Sequence, residues 1–125
     1  MGILEGKVCV ITGGAGSLGL ASAGLILQEG AKVMLVDKNE KLLVRAVETL
    51  GSPGENLSFT VSDVSGISQT IEYMDNTVKK WGEIDVLFSN AGISGVIRPV
   101  TEFPEDVFDE VMAVNVRGSF LACKY

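Results

Sequence analysis

Thr12-Gly13-Gly14-Ala15-Gly16-Ser17-Leu18-Gly19 is the stretch whose reading decides the fold. It follows an apolar run, Val8-Cys9-Val10-Ile11, and opens an apolar pattern of helical period. Eighteen residues after Gly19, Asp37 closes a second apolar run, Val33-Met34-Leu35-Val36. A strand, a glycine turn, a helix, a second strand and an acid at its tip form the layout that holds a dinucleotide. Each glycine has its own expected task. Gly14 allows the tight turn, Gly16 lets the backbone approach a pyrophosphate, and Gly19 lets the helix lie against its strand. The helix end then aims unpaired N–H groups and a partial positive charge at the phosphates. Gly13, Ser17 and Leu18 complete the candidate phosphate-binding set.

Beyond this turn, apolar runs and helical periods alternate, which predicts a parallel α/β domain over 1–125. Strands are expected at residues 7–12, 32–37, 57–61 and 84–89, and helices at 17–29, 40–50 and 67–81, with a last one from about Pro104. Gly30, Gly51-Ser52-Pro53-Gly54 and Gly82 supply the stops. Ile67, Ile71, Met74, Val78 and Trp81 recur at steps of four and three, a helix stripe, and Trp81 reads as core packing. Right-handed crossovers give the sheet order 3-2-1-4, a doubly wound Rossmann-type sheet. Its switch point lies between strands one and four, where the glycine turn and the loop after strand four meet.

Composition narrows the function. The chain has no histidine, which excludes a Ser-His-Asp hydrolase and any histidine metal site, and no metal is expected. Cys9 and Cys123 stand too far apart for metal or redox spacing and read as small buried apolar residues. A net charge of −6 argues against nucleic acid or an anionic membrane as partner. No apolar run is long enough to span a bilayer and no signal peptide precedes Val8, so the cytoplasm is the expected compartment. Gly6 stands where a myristoylation motif wants Ser or Thr, and Asn56-Leu57-Ser58 reads as a chance sequon.

Three further places carry chemistry. Asp37 can accept hydrogen bonds from the adenosine ribose hydroxyls of NAD and would repel a 2′-phosphate; the alternative is a solvated turn acid. Lys38, just after it, softens the exclusion of NADP. Asp63-Val64 follows strand three and can hold an adenine ring, or Asp63 can cap the next helix. Asn90-Ala91-Gly92 is a small, bendable segment placed at the crevice.

These motifs together with Asn115-Val116-Arg117-Gly118 resemble the successive signatures of the short-chain dehydrogenase/reductases, in their shorter-subunit branch. The resemblance covers the whole chain. It implies an NAD(P)-dependent oxidoreductase that moves a hydride between the nicotinamide and an alcohol or carbonyl carbon of a small molecule. It implies that Asp63 binds the adenine amino group, that Val64 flanks the ring, and that Asn90, Ala91 and Gly92 line the cofactor. Asp85 would brace the central sheet. It further implies a kink at Asn115, which helps hold a water for the proton relay, and a homo-dimer or homo-tetramer. A mid-helix asparagine among apolar neighbours is costly unless its amide is satisfied; the alternative to function is a bond to its own helix. The chain departs from the commoner family pattern in having Ser17 where a glycine is usual and Gly16 where it is not.

The family's tyrosine general base, in a Tyr-x-x-x-Lys pattern with an assisting serine, has no counterpart. Neither Tyr73 nor Tyr125 has a lysine four residues on. These 125 residues are therefore expected to represent the N-terminal cofactor-binding part of such an enzyme, inactive alone and, with strand four an open edge, poor at folding alone. The competing expectation is a short product that binds nucleotide or pairs with a full-length subunit. Ile93, Val96, Ile97 and Pro99 suggest an apolar wall for a hydrophobic alcohol or ketone.

Overall fold

The computed structural model describes residues 2–52 and 54–125. Four parallel strands, β1 (Val8–Thr12), β2 (Lys32–Asp37), β3 (Leu57–Val61) and β4 (Val86–Phe88), lie in the order β3-β2-β1-β4. The register pairs Val10 with Met34 on one side and with Leu87 on the other. The expected order holds, and β3 is an edge.

Two helices, α1 (Ser17–Gln28) and α2 (Glu40–Thr49), cover one face, and α3 (Ile67–Trp81) and α5 (Gly118–Lys124) the other. Alternation along the strands divides the core in two. Ile11, Val33 and Leu35 pack with Ala23 of α1 and with Leu43 and Ala46 of α2. Val10, Met34 and Val36 pack with Tyr73 and Met74 of α3 and Ala122 of α5. β1 is buried at every position, which a continuous apolar run requires of a central strand. Gly30 and Gly82 stop their helices in the left-handed region, with φ of 88° and 89°. Gly51 and Gly54 do the same around α2's end, while Pro53 of that breaker lies outside the described residues.

Four expectations need correction. The buried face of α3 is Thr70, Tyr73, Met74 and Thr77, whereas Ile67, Ile71 and Val78 are 44%, 38% and 45% exposed. The period is right, and Met74 and Trp81 of the stripe do pack against the core, but the buried face is turned toward the two threonines. Thr70 Oγ1 donates to Gly66 O and Thr77 Oγ1 to Tyr73 O, both at 2.7 Å, so each hydroxyl is satisfied one turn back and the side chain is buried much as a valine is. Trp81 is half-buried against the core, its ring N–H donating to Glu55 O at 3.0 Å.

Strand four spans three residues rather than six. Past Phe88 its ladder ends because Asn90 N–H turns to the Thr12 side chain and the Ser89 hydroxyl to Ser119. At its start Asp85 Oδ2 accepts from Val8 N at 2.9 Å, so Asp85 does brace the central pair of strands, at the end remote from the glycine turn.

The last helical stretch is not continuous. It runs as α4 (Glu105–Met112), a π turn (Ala113–Arg117) and α5. Cys123 is exposed, not buried, because Leu121 and Ala122 take the positions that face the sheet.

The Tyr73 hydroxyl is fully buried and, among the described residues, makes no hydrogen bond of good geometry; burial pushes its pKa up and the nearby Thr70 hydroxyl draws it partly back. Removing an unpartnered buried hydroxyl while keeping the ring should cost nothing. Tyr73→Phe is expected to leave the urea unfolding free energy unchanged or raise it by about 1 kcal/mol. A loss of that size would show that the hydroxyl has a partner.

Candidate functional site

The carboxyl ends of β1, β2 and β4 are joined by hydrogen bonds that build one crevice. Gly13, just after β1, has φ 65°, and a Cβ there would stand 2.9 Å from Ala91 Cα. The tight turn thus belongs to Gly13 and not to Gly14. Gly14 is held small by packing, since its Cβ would meet Leu35 Cδ2 at 2.8 Å. Gly19 is where α1 presses closest, a Cβ falling 2.3 Å from Gly13 O. Gly16 caps the helix with no side-chain hydrogen bond. Gly16, Ser17 and Leu18 are exposed, so the N-terminus of α1 forms an open rim.

A buried hydroxyl ties this turn to the next loop. Thr12 Oγ1 accepts from Asn90 N at 3.0 Å and from Ala91 N at 3.1 Å. Asn90 Nδ2 in turn donates to Gly13 O at 3.3 Å. Thr12 stands in the quoted motif, but the sequence reading gave it no role. The available signal was that it is the one polar residue ending an otherwise apolar strand.

Asp37 is half-buried and reaches back over the turn. Its Oδ2 accepts from Ala15 N at 3.2 Å and its Oδ1 from Asn39 N at 3.3 Å. A cavity of about 200 Å3 opens beside it, bounded by Gly13, Asp37, Asp63, Val64, Ala91 and Gly92. Lys38, Ser62, Ile93 and Val114 complete its wall. Nothing in the sequence pattern pointed to Ser62 or Val114; Ser62 is buried, its N–H donating to Asp37 O at 2.9 Å.

Asp63 is exposed and does not cap α3, whose N-cap is Gly66. Its Oδ1 accepts from Ser65 Oγ at 2.6 Å and Ser65 N at 2.9 Å, while its own N–H donates to the Gln69 side chain. The Ser65 hydroxyl, then the Ser65 N–H, and more weakly nearby Lys38, hold its carboxyl below the usual carboxylate value. Val64 is 7% exposed and packs into the core beside the cavity.

Asn115 sits in the π turn, exposed rather than enclosed by apolar neighbours. Its amide is satisfied, but not by its own helix. Oδ1 accepts from Ile93 N and Nδ2 donates to Ile93 O, both at 2.8 Å. Gly92 lies against it, a Cβ there coming 3.3 Å from Asn115 Oδ1.

The crevice therefore brings together the glycine turn, Asp37, the 63–64 pair and the 90–92 loop. Gly14, Gly16, Ser17, Leu18, Gly19, Asn90 and Asn115 support or rim it without bounding the cavity. Among the described residues, the ionisable side chains on its wall are Asp37, Lys38 and Asp63. Such a wall offers carboxylate acceptors, one cation and open backbone, which suits holding a polar, flat-ringed ligand.

Comparison with known proteins agrees with this geometry. A family model described as short chain dehydrogenase matches residues 7–125. Secoisolariciresinol dehydrogenase of Forsythia intermedia is 41% identical over 123 residues, covering 98% of this chain and 44% of the relative. Short chain aldehyde dehydrogenase 1 of Euphorbia lathyris is 40% identical, covering 98% and 42%. The crystal structure of an NAD+-bound xylitol dehydrogenase superposes with a TM-score of 0.93 at 37% identity, covering 98% of this chain and 47% of that one. The chain spans less than half the length of each of these proteins.

The Thr12 hydroxyl is the testable joint of the crevice. Thr12→Val orphans two N–H groups and is expected to lower unfolding stability by about 1–3 kcal/mol per group left unpaired. Thr12→Ser keeps the acceptor and should lose much less. Urea midpoints for the two variants check this, and equal losses would contradict it.

Proposed function

The chain belongs to the short-chain dehydrogenase family, and on that premise we propose that it forms the cofactor-binding part of an NAD-dependent oxidoreductase acting on an alcohol or ketone. When bound, NAD supplies a hydride acceptor for an alcohol carbon or, reduced, a hydride donor to a carbonyl carbon. The Asp37 carboxylate carries the reading, because it bounds the cavity from the tip of β2 while already holding the glycine turn. A carboxylate there accepts from ribose hydroxyls and disfavours a 2′-phosphate, since juxtaposed like charges cost several kcal/mol.

The crevice fits such a cofactor on its own terms. The cradle at Gly13, Gly14 and Gly19 has no room for a Cβ, and Gly16 leaves the backbone N–H groups of α1 bare for a phosphate. Ser17 and Leu18 form the first turn behind them. Asp63 and Val64 are proposed for the adenine, and Asn90, Ala91 and Gly92 for the nicotinamide side. Asn115 is proposed for the proton-relay end. Both ends of its amide are spent on Ile93, so its part there is to fix the 92–93 segment. The family's tyrosine and lysine pair is not among these residues, and Tyr73 cannot stand in for it, being fully buried. Proton transfer by that pair belongs to the proposal for the whole protein. The proposed compartment is the cytoplasm, where both cysteines would stay the free thiols seen here. No described helix is long and apolar enough to cross a membrane.

A second reading, in which the chain binds nucleotide without turnover and pairs with another subunit, draws on one observation. Phe108, Met112, Val116 and Phe120 repeat every four residues along α4, the π turn and α5, and all are exposed, at 54%, 41%, 53% and 60%. A stripe of that size is what a helix presents to another chain. It is equally compatible with the dimer or tetramer proposed for the whole enzyme.

Calorimetric titration of the chain with NAD and NADP tests the cofactor assignment. NAD is expected to bind at least about tenfold more tightly, and Asp37→Asn to narrow that gap by relieving the repulsion. Equal affinities in the wild type would mean that Lys38 outweighs Asp37 and would overturn the NAD assignment.

A further inference from the structure

We propose that Arg117 is a positioning residue for the adenine end of the nucleotide, anchoring the 63–66 loop to the π turn so that Asp63 keeps its carboxylate at the cavity. The inference rests on the nucleotide reading above and adds to it a residue from a distant part of the chain. Arg117 Nε donates to Ser65 O at 3.2 Å, across 52 positions in sequence. Ser65 in turn donates twice to Asp63 Oδ1, through its N–H and its hydroxyl. A relay of main-chain and side-chain bonds therefore runs from the guanidinium to the carboxylate.

A second contact fixes the same loop independently. Gly118, next after Arg117, lies against Val64 so closely that a Cβ would stand 2.9 Å from Val64 Cγ2. Hydrogen bond and packing contact together hold the 63–66 loop to the turn at two adjacent residues. The π turn holds the opposite wall as well, since Asn115 grips Ile93 at both its N–H and its carbonyl. Its own frame is secured by Ser119 Oγ donating to Asn115 O at 3.2 Å and Ser89 Oγ donating to Ser119 Oγ at 2.9 Å. Extra-residue turns of this kind recur at functional sites because they re-aim side chains that a regular helix would point elsewhere. Here the extra residue lets Asn115 and Arg117 face two different loops of one cavity.

The Arg117 bond is exposed to water, so its net worth is that of a single hydrogen bond, about two- to tenfold in an equilibrium constant. The test is AMP binding to the whole enzyme proposed above, of which this chain is the cofactor-binding part, measured calorimetrically for the wild type, Arg117→Ala, Arg117→Lys, Asp63→Ala and the double variant Asp63→Ala/Arg117→Ala. Arg117→Ala and Asp63→Ala should each weaken AMP by about two- to tenfold. Arg117→Lys, which keeps a donor, should stay within about twofold of the wild type. The double variant should bind no more weakly than Asp63→Ala, because the relay has already lost its end. Wild-type affinity in Arg117→Ala, losses that multiply in the double variant, or a lysine as poor as the alanine would each overturn the proposal. Where Arg117→Ala does not unfold cooperatively, Arg117→Met keeps the stem without the donor and takes its place. Failure of the nucleotide reading looks different: the wild type does not bind AMP, or Asp63→Ala binds it unchanged.

Discussion

Two backbone N–H groups converge on one buried hydroxyl, and the crevice depends on that joint. A parallel strand pair normally satisfies its backbone groups through its ladder. Between β1 and β4 the ladder stops at Ile11 and Phe88, and beyond Ser89 the N–H groups of Asn90 and Ala91 leave it for a side chain. Thr12 Oγ1 takes the place of a carbonyl and accepts both. The chain after β4 is thereby bent across the glycine turn instead of continuing along the sheet. Only a glycine fits beneath it, since Ala91 Cα would lie 2.9 Å from a Cβ at Gly13. From this crossing the rest follows: Asn90 reaches Gly13 O, Gly92 lies against Asn115, and Ile93 is gripped by it. A polar contact of about 1 kcal/mol net thus sets a geometry that apolar packing alone would leave free.

Much of this was legible because three different signals agreed. Continuous apolar runs marked β1 and β2, and the glycines with Gly30 and Gly82 marked where helices begin and stop. The strand order then followed from crossover handedness. What hydropathy cannot show is a threonine that hides its own hydroxyl. Thr70 and Thr77 bury beside Tyr73 because each bonds to its own helix one turn back, and that choice rotated the apparent stripe of α3 onto solvent. The turn glycine was misassigned for a related reason. Spacing alone does not say which of two adjacent glycines takes positive φ, and here Gly14 is constrained by Leu35 on β2 instead.

The candidate site was readable by residue type but not by connection. Asp37, Asp63 and the 90–92 loop stand where their motifs place them, yet the bonds that hold them run from one motif to another or to residues outside any motif. Ser65 and Ile93 carry no compositional signal, because what matters in them is largely main-chain N–H and C=O. The kink at Asn115 was expected from the resemblance, whereas its form, five residues of π turn that let Asn115 and Arg117 bond to different loops, was not. Asn115 also avoids the cost of an unsatisfied amide by a route that a helix-only view does not contain: it pairs with a loop peptide as a strand would.

The charge distribution explains how an acidic chain can serve a phosphate-bearing ligand. With a net charge of −6 and both Asp37 and Asp63 on the cavity wall, the long-range field opposes an anion. The stretch 12–19 contains no lysine or arginine, and Lys38 is the only cationic side chain on that wall. Attraction for the proposed pyrophosphate must therefore come from short-range donors: the uncapped first turn of α1 and its dipole, which follow a turn packed too closely at Gly13, Gly14 and Gly19 to hold a Cβ. Such donors act over a few ångströms and gain strength only where water is excluded. On the proposed reading the two carboxylates cost little at the phosphates and act at the ribose and adenine. An extra phosphate on the ribose would meet Asp37 with only Lys38 to offset it. On the same reading, the arrangement that tolerates an anion at the glycine turn would reject one at the tip of β2, and the separation of these two places along one crevice is what the glycine turn and the Thr12 crossing maintain.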